Sequence, residues 1–363
     1  MDDAYYMGMA LDLATATIGQ TSPNPSVGAV IVKDNKIVGL GTHLKAGTAH
    51  AEVVALDMAK EEAKNATMYV TLEPCSHIGK TGSCADLIIK SELKEVHIAT
   101  LDPNEKVSGQ GLDKLVNAGI NITTGLLEKR AKAINKYFFT SMLQKRPFIT
   151  LKQATSLDGK IATYTGESKW ITSTEARVEV HKDRRLHDSI LVGVNTIIKD
   201  DPELTVRLTE SSKQPIRLIL DTHLRTPITS KVITDNKTPT WIFTGNHVAQ
   251  QLINEFKTFQ NVIIFQMESS HIELAQVLNI LHKQEVRSVY VEGGSTVNGS
   301  FLKEGLIDEV FTYLAPILIG GETSPTSFQG LGIEKLSDAF DLEIKEVKRI
   351  GKDVLIISQR VGL

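Results

Sequence analysis

Residues 50–84 read HAEVVALDMAKEEAKNATMYVTLEPCSHIGKTGSC, and within them His50, Glu52, Cys75 and Cys84 have the types required for hydrolytic metal chemistry. One imidazole and two thiolates form a donor set that suits zinc, with a fourth position open to water. Glu52, a carboxylate that is not a ligand, would move protons as that water attacks an aminated ring. Zinc-dependent deamination is therefore the chemistry these residues could perform.

Zinc deaminases are marked by H-x-E followed by P-C-x-x-C. Here SHIGKTGS separates Cys75 from Cys84, so the cysteine spacing is eight residues longer than adjacency and departs from the two of that pattern. The flanking sequence suggests how the thiols could still meet. Cys75 follows the apolar, strand-like run MYVTLE, Pro74 suits a first-turn position, and Cys84 opens CADLIIKSE, which reads as a helix. Both thiols are thus expected near the start of one helix, where the N-terminal field favours thiolate. His50 and Glu52 likewise open the amphipathic helix AEVVALDMAKEEA. A plainer reading makes His50 and Glu52 ordinary first-turn polar residues and each cysteine a small core residue. Against it, both of the 2 cysteines fall beside Pro74 and downstream of H-A-E.

The surrounding elements alternate. An apolar helical pattern from Asp3 to Ile18 is broken at Pro23 and Pro25; VGAVIV then reads as a buried strand turned at Asp34 and Asn35 into KIVGLGTH. After the two site helices come strand EVHIAT, helix GLDKLVNAG, strand NITTG and a long helix from Leu126 to Leu143. This order predicts a three-layer α/β domain with a mixed sheet, over residues 1–145. Lys145-Arg146-Pro147 marks the boundary to a second α/β domain, 146–363, with strands FITLKQAT, SILVG, RLILDT, TWIFTG, NVIIFQ, SVYVEGG and EVFTYLAP, helices near Thr174–His187 and Ile272–Lys283 and after Gly294, and a closing hairpin of LEIKEVKRI and DVLIISQRV. Two domains are about what 363 residues should hold.

Composition narrows the partners. Forty Lys plus Arg against 43 Asp plus Glu give a net charge of −3, with no long basic block to serve as a footprint for nucleic acid or a membrane surface. Two cysteines exclude a dense disulfide framework and fit a reducing compartment. The start MDDAYYMGMALDLA lacks a positive n-region, and no apolar run approaches the roughly 18 residues of a membrane helix. A cytoplasmic protein is expected.

No G-x-G-x-x-G follows a strand in the second half. Gly293-Gly294, between SVYVE and a helix starting near Ser295, would let backbone N–H groups face a pyrophosphate, although the same pattern is also a simple tight turn. Arg184 and Arg207 could grip a phosphate through bidentate hydrogen bonds, or be solvated surface residues.

Further motifs run the length of the chain: P-N-P-S-V-G-A-V at Pro23–Val30, G-x-H at Gly41–His43, H-A-E, T-L-E-P-C-S-H-x-G-K ending at Lys80, L-K-x-A-x-S-L-D-G-K-I-A from Leu151, G-E-S-x-W-I-T from Gly166, L-V-G-V-N-T from Leu191, D-D-P-x-L-T-V-R from Asp200 and V-E-G-G from Val291. In this order they resemble the bifunctional deaminase–reductases of riboflavin biosynthesis, which join a cytidine-deaminase-like domain to a dihydrofolate-reductase-like domain. The resemblance implies that Asn24, His43, His77, Lys80, Asp102 and Asn104 line the pyrimidine and phosphate pocket of the deaminase. It implies NADPH contacts at Ala154, Trp170, Thr196, Asp200 and Gly294, and substrate contacts at Ser168, Arg184, Leu204, Arg207 and Glu292. The sequence departs from the family where Glu105, Gly82 and Ser83 replace common prolines, and HKDRRLHD leaves Arg185 as an alternative to Arg184.

By that resemblance zinc and NADPH are the cofactors, pyrimidine ribosyl phosphates the substrates, and self-association of identical chains is expected, with no nucleic acid or membrane partner. The competing reading is a zinc nucleoside or tRNA deaminase whose second half is a non-catalytic metabolite-binding module.

Overall fold

The computed structural model describes residues 2–76, 83–104, 108–208 and 213–362. The chain divides into two compact units, Met1–Arg146 and Pro147–Leu363.

The first unit contains α1 (Asp3–Thr15), β1 (Gly28–Lys33), β2 (Lys36–Thr42), α2 (Ala51–Ala59), β3 (Thr67–Val70), α3 (Cys84–Lys90), β4 (Glu95–Ile98), α4 (Gln110–Asn117), β5 (Asn121–Thr124), α5 (Glu128–Ile134) and α6 (Lys136–Gln144). Its sheet runs β2-β1-β3-β4-β5. The β1 strand pairs antiparallel with β2 and β3, while β3–β4 and β4–β5 are parallel, so the sheet is mixed. Asp34 and Asn35 turn the β1–β2 hairpin with φ of 48° and 62°, the left-handed pair that a tight two-residue hairpin requires. Alternation along β1 divides the two cores: Ala29 and Ile31 pack with α2, α3, α4 and α6, whereas Val30 and Val32 pack with α1 and α5. Helices therefore cover both faces of the sheet.

Close packing of α2 on β2 depends on glycine. A Cβ at Gly41 would lie 2.0 Å from the Ala51 carbonyl oxygen, and one at Gly39 would lie 2.2 Å from that of Ala55. This contact carries His50 and Glu52 onto the sheet.

The long helix expected from Leu126 to Leu143 is two helices, broken at Asn135 with φ −107° and ψ 25°. Asn135 turns its side chain to the backbone of Ser26, accepting from its N–H and donating to its carbonyl, both at 2.8 Å. A paired interaction with a distant segment thus outweighs helix continuity.

The second unit contains β6 (Phe148–Ser156), α7 (Thr174–Leu186), β7 (Ser189–Gly193), α8 (Val194–Asp200), β8 (Ile216–Leu220), α9 (Lys231–Thr234), β9 (Thr240–Thr244), α10 (Gln250–Phe256), β10 (Val262–Gln266), α11 (Leu274–Lys283), β11 (Ser288–Gly293), α12 (Ser295–Lys303), β12 (Glu309–Ala315), β13 (Leu342–Ile350) and β14 (Asp353–Arg360). The sheet order is β10-β9-β8-β7-β11-β6-β12-β14-β13. From β10 to β12 all neighbours are parallel, and the closing β13–β14 hairpin is antiparallel. Leu191 packs with α11 and α12 on one face, while Ile190 and Val192 pack with α8, α9 and α10 on the other. The short helices α8, α9 and α10 were not anticipated from periodicity, since each has seven residues or fewer and barely two turns in which a pattern can repeat.

Candidate active sites

In the first unit the three metal-type donors converge. His50 is the N-cap of α2 and its side chain makes no capping bond, which leaves Nδ1 free to point outward. Nδ1 lies 3.2 Å from Cys84 Sγ and 3.6 Å from Cys75 Sγ, and the three donor atoms fall within 4.8 Å of one another. Cys84 opens α3 as expected. Cys75 itself lies in the irregular stretch beyond β3, which ends at Val70, and its thiol meets the start of α3 from there. Backbone bonds close the gap. The Cys75 carbonyl accepts from Ala85 N–H at 3.1 Å and Ser83 Oγ at 3.0 Å, and the Cys84 N–H donates to Cys75 Sγ at 3.4 Å. Ser83 caps α3 as well, accepting from Asp86 N–H at 3.3 Å, a use for the position where the resembled family has proline.

The three donors perturb one another electrostatically. A hydrogen bond from Cys84, opposed by burial and aided by His50, brings the Cys75 thiol down to about 4. Its bond to Cys75, with burial, pushes the Cys84 thiol up. The same contact to Cys75 raises His50. Two sulfurs and an imidazole thus crowd one another, an arrangement a divalent ion would satisfy at all three atoms. The set fits zinc. Glu52, in the first turn of α2, is 4% exposed, and burial raises its carboxyl above the ordinary value, as a group that must accept and return a proton requires.

Asn24 and His43 lie beside this cluster. The Asn24 amide Nδ2 donates to His43 Nε2 at 3.2 Å, so His43 carries its proton on Nδ1, which faces the Ala49 carbonyl at 3.1 Å. Burial lowers the His43 pKa and keeps the ring neutral, and the ring stands edge-on to His50 with centroids 5.3 Å apart. Asp102 and Asn104 belong to the segment after β4; the Asn104 N–H donates to Asp102 Oδ1 at 2.8 Å. His77, Lys80, Gly82 and Glu105 lie outside the described residues.

In the second unit a cleft of about 570 Å³ opens at the carboxyl ends of the parallel strands. It gathers all ten positions named from the sequence: Ala154, Ser168, Trp170, Arg184, Thr196, Asp200, Leu204, Arg207, Glu292 and Gly294. Gly293 and Gly294 have φ of 87° and 85°, a left-handed pair that a side chain would strain. Gly294 is the N-cap of α12 and offers no side-chain cap, so the first N–H groups of that helix face the cleft mouth unpaired by a cap, as binding of a dinucleotide pyrophosphate requires. Trp170, 67% exposed, stacks under the Arg177 guanidinium at 4.6 Å.

Arg184 is not a solvated arginine and does not offer an open fork. Its Nε and Nη2 donate to the two oxygens of Glu292, the latter at 2.8 Å, and its Nη1 donates to the Thr205 carbonyl at 2.9 Å. Burial would raise the Glu292 carboxyl, but the Arg184 guanidinium overrides it and holds the group down at about 2. Arg185 is exposed and does not line the cleft, so Arg184 takes the inward position. Arg207 keeps an exposed side chain at the rim, and its backbone N–H donates to His181 Nδ1 at 3.3 Å. Leu204 is 3% exposed and part of the core beneath the cleft.

The cleft contains groups to which the sequence reading gave no role. Lys152 lines it, with burial lowering its pKa and the charge of Glu292 opposing. His181 is brought down to about 4 by burial and by the nearby Arg184 and Arg207. In the first unit Glu73 was passed over. Lys152 and Glu73 both stand inside quoted motifs, yet spacing alone gives neither a function.

Residues 1–100 match the cytidine and deoxycytidylate deaminase zinc-binding region, and residues 147–356 match the RibD C-terminal domain. The riboflavin biosynthesis protein RibD of Bacillus amyloliquefaciens is 49% identical over 97% of this chain and 95% of its own length. The chain belongs to the RibD family. The solved structure of Acinetobacter baumannii RibD, form 1, superposes with a TM-score of 0.90 at 37% identity over 99% of both chains. A diaminohydroxyphosphoribosylaminopyrimidine deaminase/5-amino-6-(5-phosphoribosylamino)uracil reductase from Thermotoga maritima superposes with a TM-score of 0.85 at 35% identity over 98% of both. The protein is accordingly a bifunctional enzyme of riboflavin biosynthesis, a zinc-dependent deaminase and an NADPH-dependent reductase on one chain. These matches to both halves disfavour a nucleoside or tRNA deaminase with a non-catalytic second half. Among the described residues no helix is long and apolar enough to cross a membrane.

Proposed function

We propose that residues 1–145 deaminate diaminohydroxyphosphoribosylaminopyrimidine and that residues 146–363 reduce the ribosyl chain of the product to ribityl. The observation that carries the first step is the convergence of His50 Nδ1, Cys75 Sγ and Cys84 Sγ over the buried Glu52. Those three atoms would hold zinc, which would supply a water acidified enough to attack at neutral pH. Glu52 would take one proton from the attacking water and deliver it to the ring nitrogen beside the aminated carbon, then carry the remaining hydroxyl proton to the amine, so that the C–N bond breaks, ammonia leaves and a ring carbonyl remains. His43, fixed as the Nδ1–H tautomer, holds the Asn24 amide so that its carbonyl oxygen and remaining N–H are presented to the pyrimidine. Asp102 and Asn104, with His77 and Lys80, complete the pocket in this reading.

In the second domain NADPH supplies the hydride that reaches the ribose carbon bearing the amine. The Gly294 turn and the start of α12 receive the pyrophosphate, and Ala154, Trp170, Thr196 and Asp200 flank the cofactor. Arg207, with its side chain exposed at the rim, binds the substrate phosphate, while Ser168 and Leu204 border the sugar. Arg184 holds Glu292 ionised and oriented toward the substrate rather than gripping phosphate itself. The chemistry is mainly orientation.

Self-association is supported by the large apolar side chains exposed at Leu331, Leu336, Ile344 and Val347. Two free cysteines, both serving as metal donors, support a cytoplasmic setting. Mass spectrometry of the products tests the assignment. Deaminated ribosyl compound without NADPH, and ribityl compound with it, are expected; unchanged substrate in both would overturn it.

A further inference from the structure

The Glu73 carboxylate is 4% exposed and, among the described residues, hydrogen-bonds none of the metal-type donors. It accepts four backbone N–H groups. Oε2 takes those of Asp102 at 3.2 Å and Gly109 at 3.1 Å, and Oε1 takes those of Gly111 at 3.1 Å and Leu112 at 3.3 Å. The Glu73 N–H in turn donates to the Thr100 carbonyl at 3.0 Å. A carboxylate has about four lone-pair sites, and all of them are filled from one stretch of chain. Three of the donors are the N-cap and first-turn N–H groups of α4, which have no intrahelical acceptor and carry the positive end of the helix field. The fourth is the backbone of Asp102. Contact is close here: a Cβ at Gly111 would lie 2.0 Å from the Pro74 carbonyl oxygen, so only glycine lets α4 approach this strand end.

Glu73 stands two residues before Cys75, on the segment that ends at the metal-type cluster. Asp102 and Asn104, which the deaminase reading places in the pyrimidine pocket, stand on the other segment. We infer that Glu73 is a positioning residue of the deaminase, whose carboxylate ties the segment bearing Asp102 and Asn104 to the chain bearing Cys75 and so sets the distance between bound pyrimidine and metal. The inference rests on the deaminase reading and deepens it. A glutamine has the same shape but only one acceptor oxygen; its amide N–H groups would face backbone N–H groups that need acceptors.

The test is Glu73→Gln in the full-length, zinc-loaded protein, with ammonia release, zinc content and NADPH oxidation measured on the same preparation. Removal of a supporting group of this kind should raise the deaminase KM about tenfold or more. Zinc content and the reductase kcat/KM should stay at the wild-type level, and deaminase kcat should fall by a smaller factor than KM rises. Leu112→Pro removes one of the four donors in the first turn of α4, whose N–H has no intrahelical acceptor to lose, without touching residue 73, and should move KM the same way by less. If Glu73→Gln gives no soluble protein, Leu112→Pro decides by the same comparison. Wild-type KM in the variant overturns the inference, as does loss of zinc, which would make Glu73 a support for Cys75 alone. Failure of the wild-type protein to release ammonia would instead overturn the deaminase reading.

Discussion

Replacing Glu292 with glutamine should weaken the second unit by an amount that depends on pH. Arg184 and Glu292 are nearly buried, with side chains 11% and 10% exposed, and the pair is bidentate. Removing one partner of a buried pair typically costs about 3–5 kcal/mol, because the other charge stays buried without compensation. Here the cost is compounded. Glu292 also faces the half-buried Lys152, so glutamine would leave two cations near one another without their shared carboxylate. For a unit of this size each kcal/mol moves the melting temperature about 2–4 °C, which gives a fall of roughly 6–20 °C at neutral pH.

Lys152 supplies the pH dependence, since arginine keeps its proton and lysine does not. Burial already lowers the Lys152 pKa below the ordinary value, and loss of the Glu292 charge lowers it further. Between that folded-state pKa and the unfolded value near 10.4, the unfolded chain binds more protons than the native one, so stability rises with pH. Wild type gains the same way once pH passes its own, less depressed Lys152 pKa. The deficit of Glu292→Gln should therefore shrink as pH rises from the variant's folded-state lysine pKa to that of the wild type, both below the ordinary lysine range, and level off above it. Thermal melts across that range, with NADPH oxidation as the activity readout, provide the assay. A variant that melts within about 2 °C of wild type, or whose deficit is the same at every pH, refutes the reasoning.

Glu52→Gln should retain zinc, measured by metal analysis, while ammonia release falls by about 100-fold or more, the usual contribution of a general acid–base group. Arg207→Ala should raise the KM for the phosphorylated substrate about tenfold, the loss of one charge-assisted hydrogen bond, with kcat little changed; steady-state NADPH oxidation reads both values. Chelation of the metal should abolish ammonia release yet leave reduction of the already deaminated compound intact, because no metal-type cluster besides His50, Cys75 and Cys84 occurs among the described residues.

Most of the metal-type cluster was readable because His50, Glu52 and Cys84 stand at helix starts, which the apolar runs that follow them mark locally. What the spacing could not show was how Cys75 reaches α3: through its carbonyl and a serine cap. Asn135 was misread for a similar reason, since its partner Ser26 is 109 residues away and no local pattern registers it. Strands were legible where apolar runs are continuous, as in SVYVE and SILVG, the pattern of parallel strands covered on both faces. The cleft residues came from motif resemblance. Their pairing did not: Arg184 looks in sequence like a free phosphate grip and is in fact bound to Glu292, 108 residues on. Glu73 stood in plain view in T-L-E-P-C, but its four donors lie 29 to 39 positions away, beyond any local signal.

The most direct test of the central claim is to follow ammonia release and NADPH oxidation in parallel, using zinc-loaded protein and the diaminopyrimidine ribosyl phosphate. The account predicts that both occur and that ammonia appears without NADPH, whereas NADPH loss requires the deaminated product. Ammonia release with no NADPH oxidation, or NADPH oxidation that does not depend on deamination, would contradict it.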